Sequence, residues 1–104
     1  MLHLDKNTVD TSFFMFELIS FAARSKKRIN LLKALATPKT PTQLSKELNT
    51  HRSAISRDLL KLKAKGLVKC LTPEENVFRL YQISLKGKKV LVEVEKFLET
   101  FLNL

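Results

Sequence analysis

From His51 to Ala64 the chain intersperses Arg52, Ser53, Ser56, Arg57 and Lys61 among Ile55, Leu59 and Leu62. At 3.6 residues per turn the three aliphatic residues make one stripe of a helix. Ser53, Arg57, Leu60, Lys61 and Ala64 fall on the far side, with Ser56 at its flank. Guanidinium forks and short hydroxyls on one helix face can donate to base edges and to phosphate oxygens, and nothing in the apolar stripe requires Arg57. The first turn, His51 to Ser53, also presents backbone N–H groups that can hold a phosphate. Solvated surface is the competing account of Ser53 and Ser56, and His51 reads first as a helix cap or solvent contact.

Enzyme chemistry finds no such support. There is no nucleophile with a base and an orienting group, no glycine-rich phosphate loop, and no pair of carboxylates in an apolar setting. Cys70 is the only cysteine, and His3 and His51 are far apart in sequence. Neither a disulfide framework nor a zinc site is expected, no cofactor is implied, and the composition suits a reducing cytoplasm. Cys70 itself reads as packing on a strand. The most apolar run, 13–23, is interrupted by Glu17 and falls short of the ~20 residues a membrane span needs. Acidic residues before it argue against a signal peptide.

Charge is concentrated in the middle of the chain. The net is +9 over 104 residues, made of −2 for residues 1–23, +11 for 24–69 and 0 for 70–104. A basic block of this kind attracts a polyanion by releasing condensed counterions, although a solvated lysine-rich face would carry the same composition. One domain fits the length, with an N-terminal segment and helix over 1–23, a core over 24–83 and a C-terminal helix over 84–104.

Those elements follow from local signals. Asp10, Thr11 or Ser12 can cap a helix over 12–24, and Ser25 can cap or kink the chain before a helix over 26–36. Lys26 and Arg28 stand at the positive end of that second helix, where cations oppose the macrodipole, so phosphate contact is one reason for them and chance solvation the other. Thr40-Pro41-Thr42-Gln43 is a capping box with proline at the first helical position, opening a short helix over 41–48 with Thr42 and Gln43 available at its start. Asn49 can take the left-handed conformation that ends it. The helix with the Arg and Ser face spans 52–65 and stops at Lys65-Gly66. Residues 67–71 and 77–83 read as two strands around the turn Thr72 to Asn76, making a hairpin. Ser84 caps a last helix over 85–102.

The terminal helices carry more apolar width than one neighbour can cover. Phe13, Phe14, Phe16, Leu18, Ile19, Phe21 and Ala22 spread over more than one face, and Val90, Val94, Phe97, Phe101 and Leu104 form a seam spaced 4, 3, 4 and 3. Packing within the monomer accounts for one face of the first helix. For the rest, pairing with a second chain is the economical explanation, through Phe14, Leu18, Phe21, Val90, Val94, Phe97, Phe101 and Leu104.

Taken together, residues 21–35 (FAARSKKRINLLKAL), 40–48 (TPTQLSKEL), 55–68 (ISRDLLKLKAKGLV), 70–74 (CLTPE) and 79–91 (RLYQISLKGKKVL) resemble the winged helix-turn-helix domain of MarR/ArsR-like transcription regulators, and most of all small archaeal ones. The resemblance covers roughly residues 20–92. It implies a mainly α fold with a small β-hairpin and a homodimer with N- and C-terminal helices at its interface. It also implies sequence-specific binding to double-stranded DNA, the 52–65 helix lying in the major groove and hairpin 67–83 serving as the wing. By motif position Arg52, Ser53, Ser56 and Arg57 face the groove; Lys61, Thr42, Gln43, Arg79, Lys26 and Arg28 complete the expected DNA surface. A dimer would set two such helices about one DNA turn (~34 Å) apart.

The pattern departs from the family in three places. The wing tip is Glu74-Glu75-Asn76 where basic residues are usual, leaving Arg79 as the one anchor. Asp58 and Leu60 stand where the related pattern has an apolar or small residue and a polar one. The cysteine pairs of metal-sensing ArsR proteins are missing, which disfavours metal sensing, and no polar cluster marks an effector pocket. An acidic wing and Leu60 would also suit a winged helix used as a protein-interaction module in a transcription or replication assembly.

Overall fold

The computed structural model describes residues 6–102, with side chains from Phe14 onward. The chain runs α1 (Lys6–Ala23), α2 (Lys26–Ala34), α3 (Pro41–Glu47), α4 (Arg52–Ala64), β1 (Val68–Cys70), β2 (Tyr81–Ile83) and α5 (Leu85–Leu102). The architecture is mainly helical with one antiparallel hairpin, in register Val68 with Ile83 and Cys70 with Tyr81.

Local caps set most of these boundaries. Ser25 has extended backbone and its side chain accepts from Arg28 N–H, which closes α1 off from α2. Thr40 and Gln43 form the reciprocal capping box at α3: Thr40 Oγ1 accepts from Gln43 N–H at 3.2 Å and Gln43 Oε1 from Thr40 N–H at 2.8 Å. Asn49 ends α3 at φ 50°, and Gly66 ends α4 at φ 76°, where Leu67 N–H reaches back to the Leu62 carbonyl at 2.9 Å. Ser84 Oγ accepts from Gly87 N–H at 2.9 Å at the start of α5. Gly87 sits tight on the chain leaving α4, since a Cβ there would overlap the Leu67 carbonyl oxygen and Ile83.

A single aliphatic core joins the elements. Leu18 and Ala22 of α1 meet Ile29, Leu31 and Leu32 of α2, Leu44 of α3, Ile55, Leu59 and Leu62 of α4, Val68, Tyr81 and Ile83 of the hairpin, and Val90 and Val94 of α5. Among the described residues no polar side chain is buried. Each buried Leu or Ile adds about 1.5–3 kcal/mol by leaving water, so α4's three inward residues hold it firmly on this base.

Three expectations are corrected. The first helix reaches back to Lys6, so Asp10, Thr11 and Ser12 lie inside it and do not mark its start. The second strand begins at Tyr81, four residues later than expected, because Phe78 takes φ 59° and the Thr72 hydroxyl accepts from Leu80 N–H at 3.0 Å, folding 72–80 into the turn. Its Tyr81 also pairs with Lys39, each N–H donating to the other carbonyl at 2.9–3.0 Å, a rung hidden in the break before α3.

The third correction divides the dimer seam. Leu18, Val90 and Val94 are in the core, because α1 and the first half of α5 pack on one another and on α2. Phe21 is half-buried under cations. Phe14, Phe97 and Phe101 are exposed, and Leu104 lies outside the described residues.

Candidate nucleic-acid interface

α4 presents its outward face to solvent. Arg52, Ser53, Ser56, Arg57, Leu60 and Lys61 are all exposed, while Ile55, Leu59 and Leu62 are buried beneath them. Among the described residues the ion pairs are Lys39–Glu47 and Lys96–Glu93, so no acid neutralises Arg52, Arg57 or Lys61. The face carries cations whose field points outward.

The turn before α4 adds a second polar surface. His51 stands at the N-cap with an exposed side chain that makes no bond to the helix, the solvent-contact side of the expectation, so the first-turn N–H groups of α4 have no side-chain acceptor there. Lys27, Ser45, Lys46, Asn49, Thr50 and Arg52 line the same depression. Arg52 Nη1 donates to Thr42 Oγ1 at 3.4 Å, which brings Thr42 to the edge of the α4 face. Gln43 is exposed, but its oxygen is committed to the cap.

Two expected phosphate ligands have other work. Arg28 Nη1 donates to the Phe21 carbonyl at 2.7 Å and its guanidinium lies 3.8 Å from the Phe21 ring centroid, so it ties α2 to the end of α1. Lys65 flanks the same ring at 5.3 Å. Lys26 stays exposed at the start of α2. Arg79 is half-buried, and its Nε donates to the Glu75 carbonyl at 2.5 Å, bracing the wing turn from which Glu74 and Glu75 protrude.

Between α4 and the wing lies a cleft of about 390 Å³. Thr40, Thr42, Arg52, Ser56 and Arg79 supply its polar lining; Leu60, Val77 and Phe78 supply the apolar part. Sequence reading overlooked Val77 and Phe78 because they looked like ordinary strand residues.

A capped helix pair, an exposed basic second helix and an adjoining hairpin define a winged helix-turn-helix protein, the fold of MarR- and ArsR-type regulators. The family model of the HVO_A0261 N-terminal domain matches residues 16–103, and the chain belongs to that family. Among solved structures, the transcriptional regulator BldR from Sulfolobus solfataricus is 25% identical, with a TM-score of 0.67 over 92% of this chain and 76% of that one. The homodimeric winged helix-turn-helix domain of Mb0332 from Mycobacterium bovis, a possible ArsR-family regulator, aligns with a TM-score of 0.71 at 17% identity over 98% of this chain and 94% of that one. A MarR variant from E. coli complexed with operator DNA aligns at 0.64 and 22% identity, over 86% of this chain and 66% of that one. At such identities the last two speak to the fold alone. No curated protein sequence matches the chain.

Proposed function

We propose that the protein is a sequence-specific double-stranded DNA-binding transcription regulator that acts as a homodimer. α4 lies in the major groove, with Arg52, Ser53, Ser56 and Arg57 toward base edges and Lys61, Lys26 and Thr42 toward phosphates. The hairpin serves as the wing, and such a regulator would work in the cytoplasm. The observation that carries this reading is the outward face of α4: three cations without acidic partners, interleaved with serines, on a helix fixed by a fully buried stripe. Relatives of this fold support it, since one is a homodimeric DNA-binding domain and another is complexed with operator DNA.

Titrating the protein with duplex DNA at several salt concentrations tests it. The logarithm of the binding constant should fall linearly with log salt, by about 0.9 per phosphate neutralised. No binding at low salt, or binding indifferent to salt, would sink the proposal. Exposed Leu60, Val77 and Phe78 beside Glu74 and Glu75 favour one second reading, a docking face for another protein; a protein used only in that way fails the same titration.

A further inference from the structure

The α4–wing cleft holds an apolar group that the fold does not use. Leu60 is 62% exposed on α4 although Ile55, Leu59 and Leu62 already seat the helix, and Val77 and Phe78 face the same cleft from the wing. Phe78 is 76% exposed and holds φ 59°, a left-handed backbone that costs free energy in a bulky residue and is kept where its placement matters. Around these three stand Arg52, Arg79, Thr42 and Ser56. An apolar strip inside a cationic rim suits a polyanion that itself carries apolar groups.

Duplex DNA has one such group on the major-groove edge of its bases, the C5-methyl of thymine. We infer that Leu60 reads thymine methyl groups in the bound DNA, with Val77 and Phe78 closing the cleft from the wing side. This rests on the DNA-binding reading and deepens it by naming a base. Leu60 lies on the same side of α4 as Ser53 and Ser56, one turn beyond Ser56. A helix with those serines toward base edges carries Leu60 along the same groove wall. A polar side chain at this position would gain nothing from a methyl group; a leucine gains the burial of one carbon on each side. The preference is therefore for an A·T pair whose thymine methyl faces the wing side of α4.

The test uses a duplex of about 30 base pairs recovered by this protein from a random pool, resynthesised with deoxyuridine in place of thymine, one position at a time. Removing only the methyl should weaken wild-type binding about fourfold at the position facing Leu60, the free energy of burying one carbon group. Leu60→Ala, at an exposed site and with its fold checked by circular dichroism, should bind the thymine and uracil duplexes equally. Phe78→Ala should narrow the difference. Recovered sites without thymine, wild-type binding indifferent to every uracil, or a Leu60→Ala protein that keeps the full uracil penalty would each overturn the inference while leaving DNA binding standing. A wild-type protein that retains no duplex from the pool at low salt overturns the DNA-binding reading and the inference together. If Leu60→Ala leaves both affinity and the uracil response unchanged, Leu60 is outside the DNA interface, the inference falls, and the protein-docking reading of the strip gains.

Discussion

Helices α4 and α5 dispose of their outward faces in opposite ways. α4 buries three aliphatic residues and turns hydroxyls and unneutralised cations outward, with Leu60 set among them; α5 buries Val90 and Val94 and leaves Phe97, Phe101 and Leu102 exposed beyond them. The first face suits a hydrated, charged polymer. The second gains nothing from such a partner and is stabilised by another apolar surface. Phe16 and Phe97 line one cleft between α1 and α5, so the apolar surface is shared by both helices. Under the proposed function, contact with DNA and the spacing of contacts along it would fall to different ends of the molecule.

The largest effect should come from breaking that division at α5. Phe97→Asp places a charge in the α1–α5 cleft at a residue 58% exposed, so the monomer should keep its fold. Sedimentation at micromolar concentration should then give a monomer mass. Duplex affinity should fall by about 100-fold or more, because the second α4 no longer benefits from being tethered to the first. A variant that remains dimeric would move the interface away from this cleft.

Arg57→Ala cuts into the other face and should act without changing mass. If the guanidinium is bidentate to a base, affinity should drop by about 1–3 kcal/mol and sequence preference should relax at one position. The two variants should separate cleanly: one is expected to lose dimer and affinity, the other affinity and specificity alone. Unchanged binding and preference would remove Arg57 from the interface.

The difference between the two ends was partly legible in the sequence. Caps are local, so Thr40-Pro41-Thr42-Gln43, Asn49, Lys65-Gly66 and Ser84 mark their helix ends, and α5 spans 85–102 as expected. The buried stripe of α4 follows from spacing for the same reason. What covers an apolar residue is not local. Periodicity marked Leu18, Val90 and Val94 as apolar, but only the packing of α1, α2 and α5 puts them in the core and Phe97 outside it. Arg28 looked like a phosphate ligand because the reversal at Ser25 that lays it on Phe21 leaves no periodic trace. The wing misled most: Val77 and Phe78 have strand-forming side chains, yet the Thr72 hydroxyl and the Arg79–Glu75 bond hold them in a turn.

The smallest effect tests whether the acidic wing belongs with the DNA face at all. Glu74 and Glu75 are exposed at the tip of the same hairpin that carries Val77 and Phe78 to the α4 cleft. If that cleft receives DNA, their charges lie near the phosphate backbone and oppose binding. Replacing both by Gln should then raise affinity about two- to fivefold at low salt, consistent with exposed charges being worth under about 1 kcal/mol each. The gain should fade toward physiological salt as the screening length shrinks to about 8 Å. Such a fading gain would put the wing within a screening length of the backbone. No gain even at low salt would hold the wing tip away from DNA and leave specificity to α4 alone.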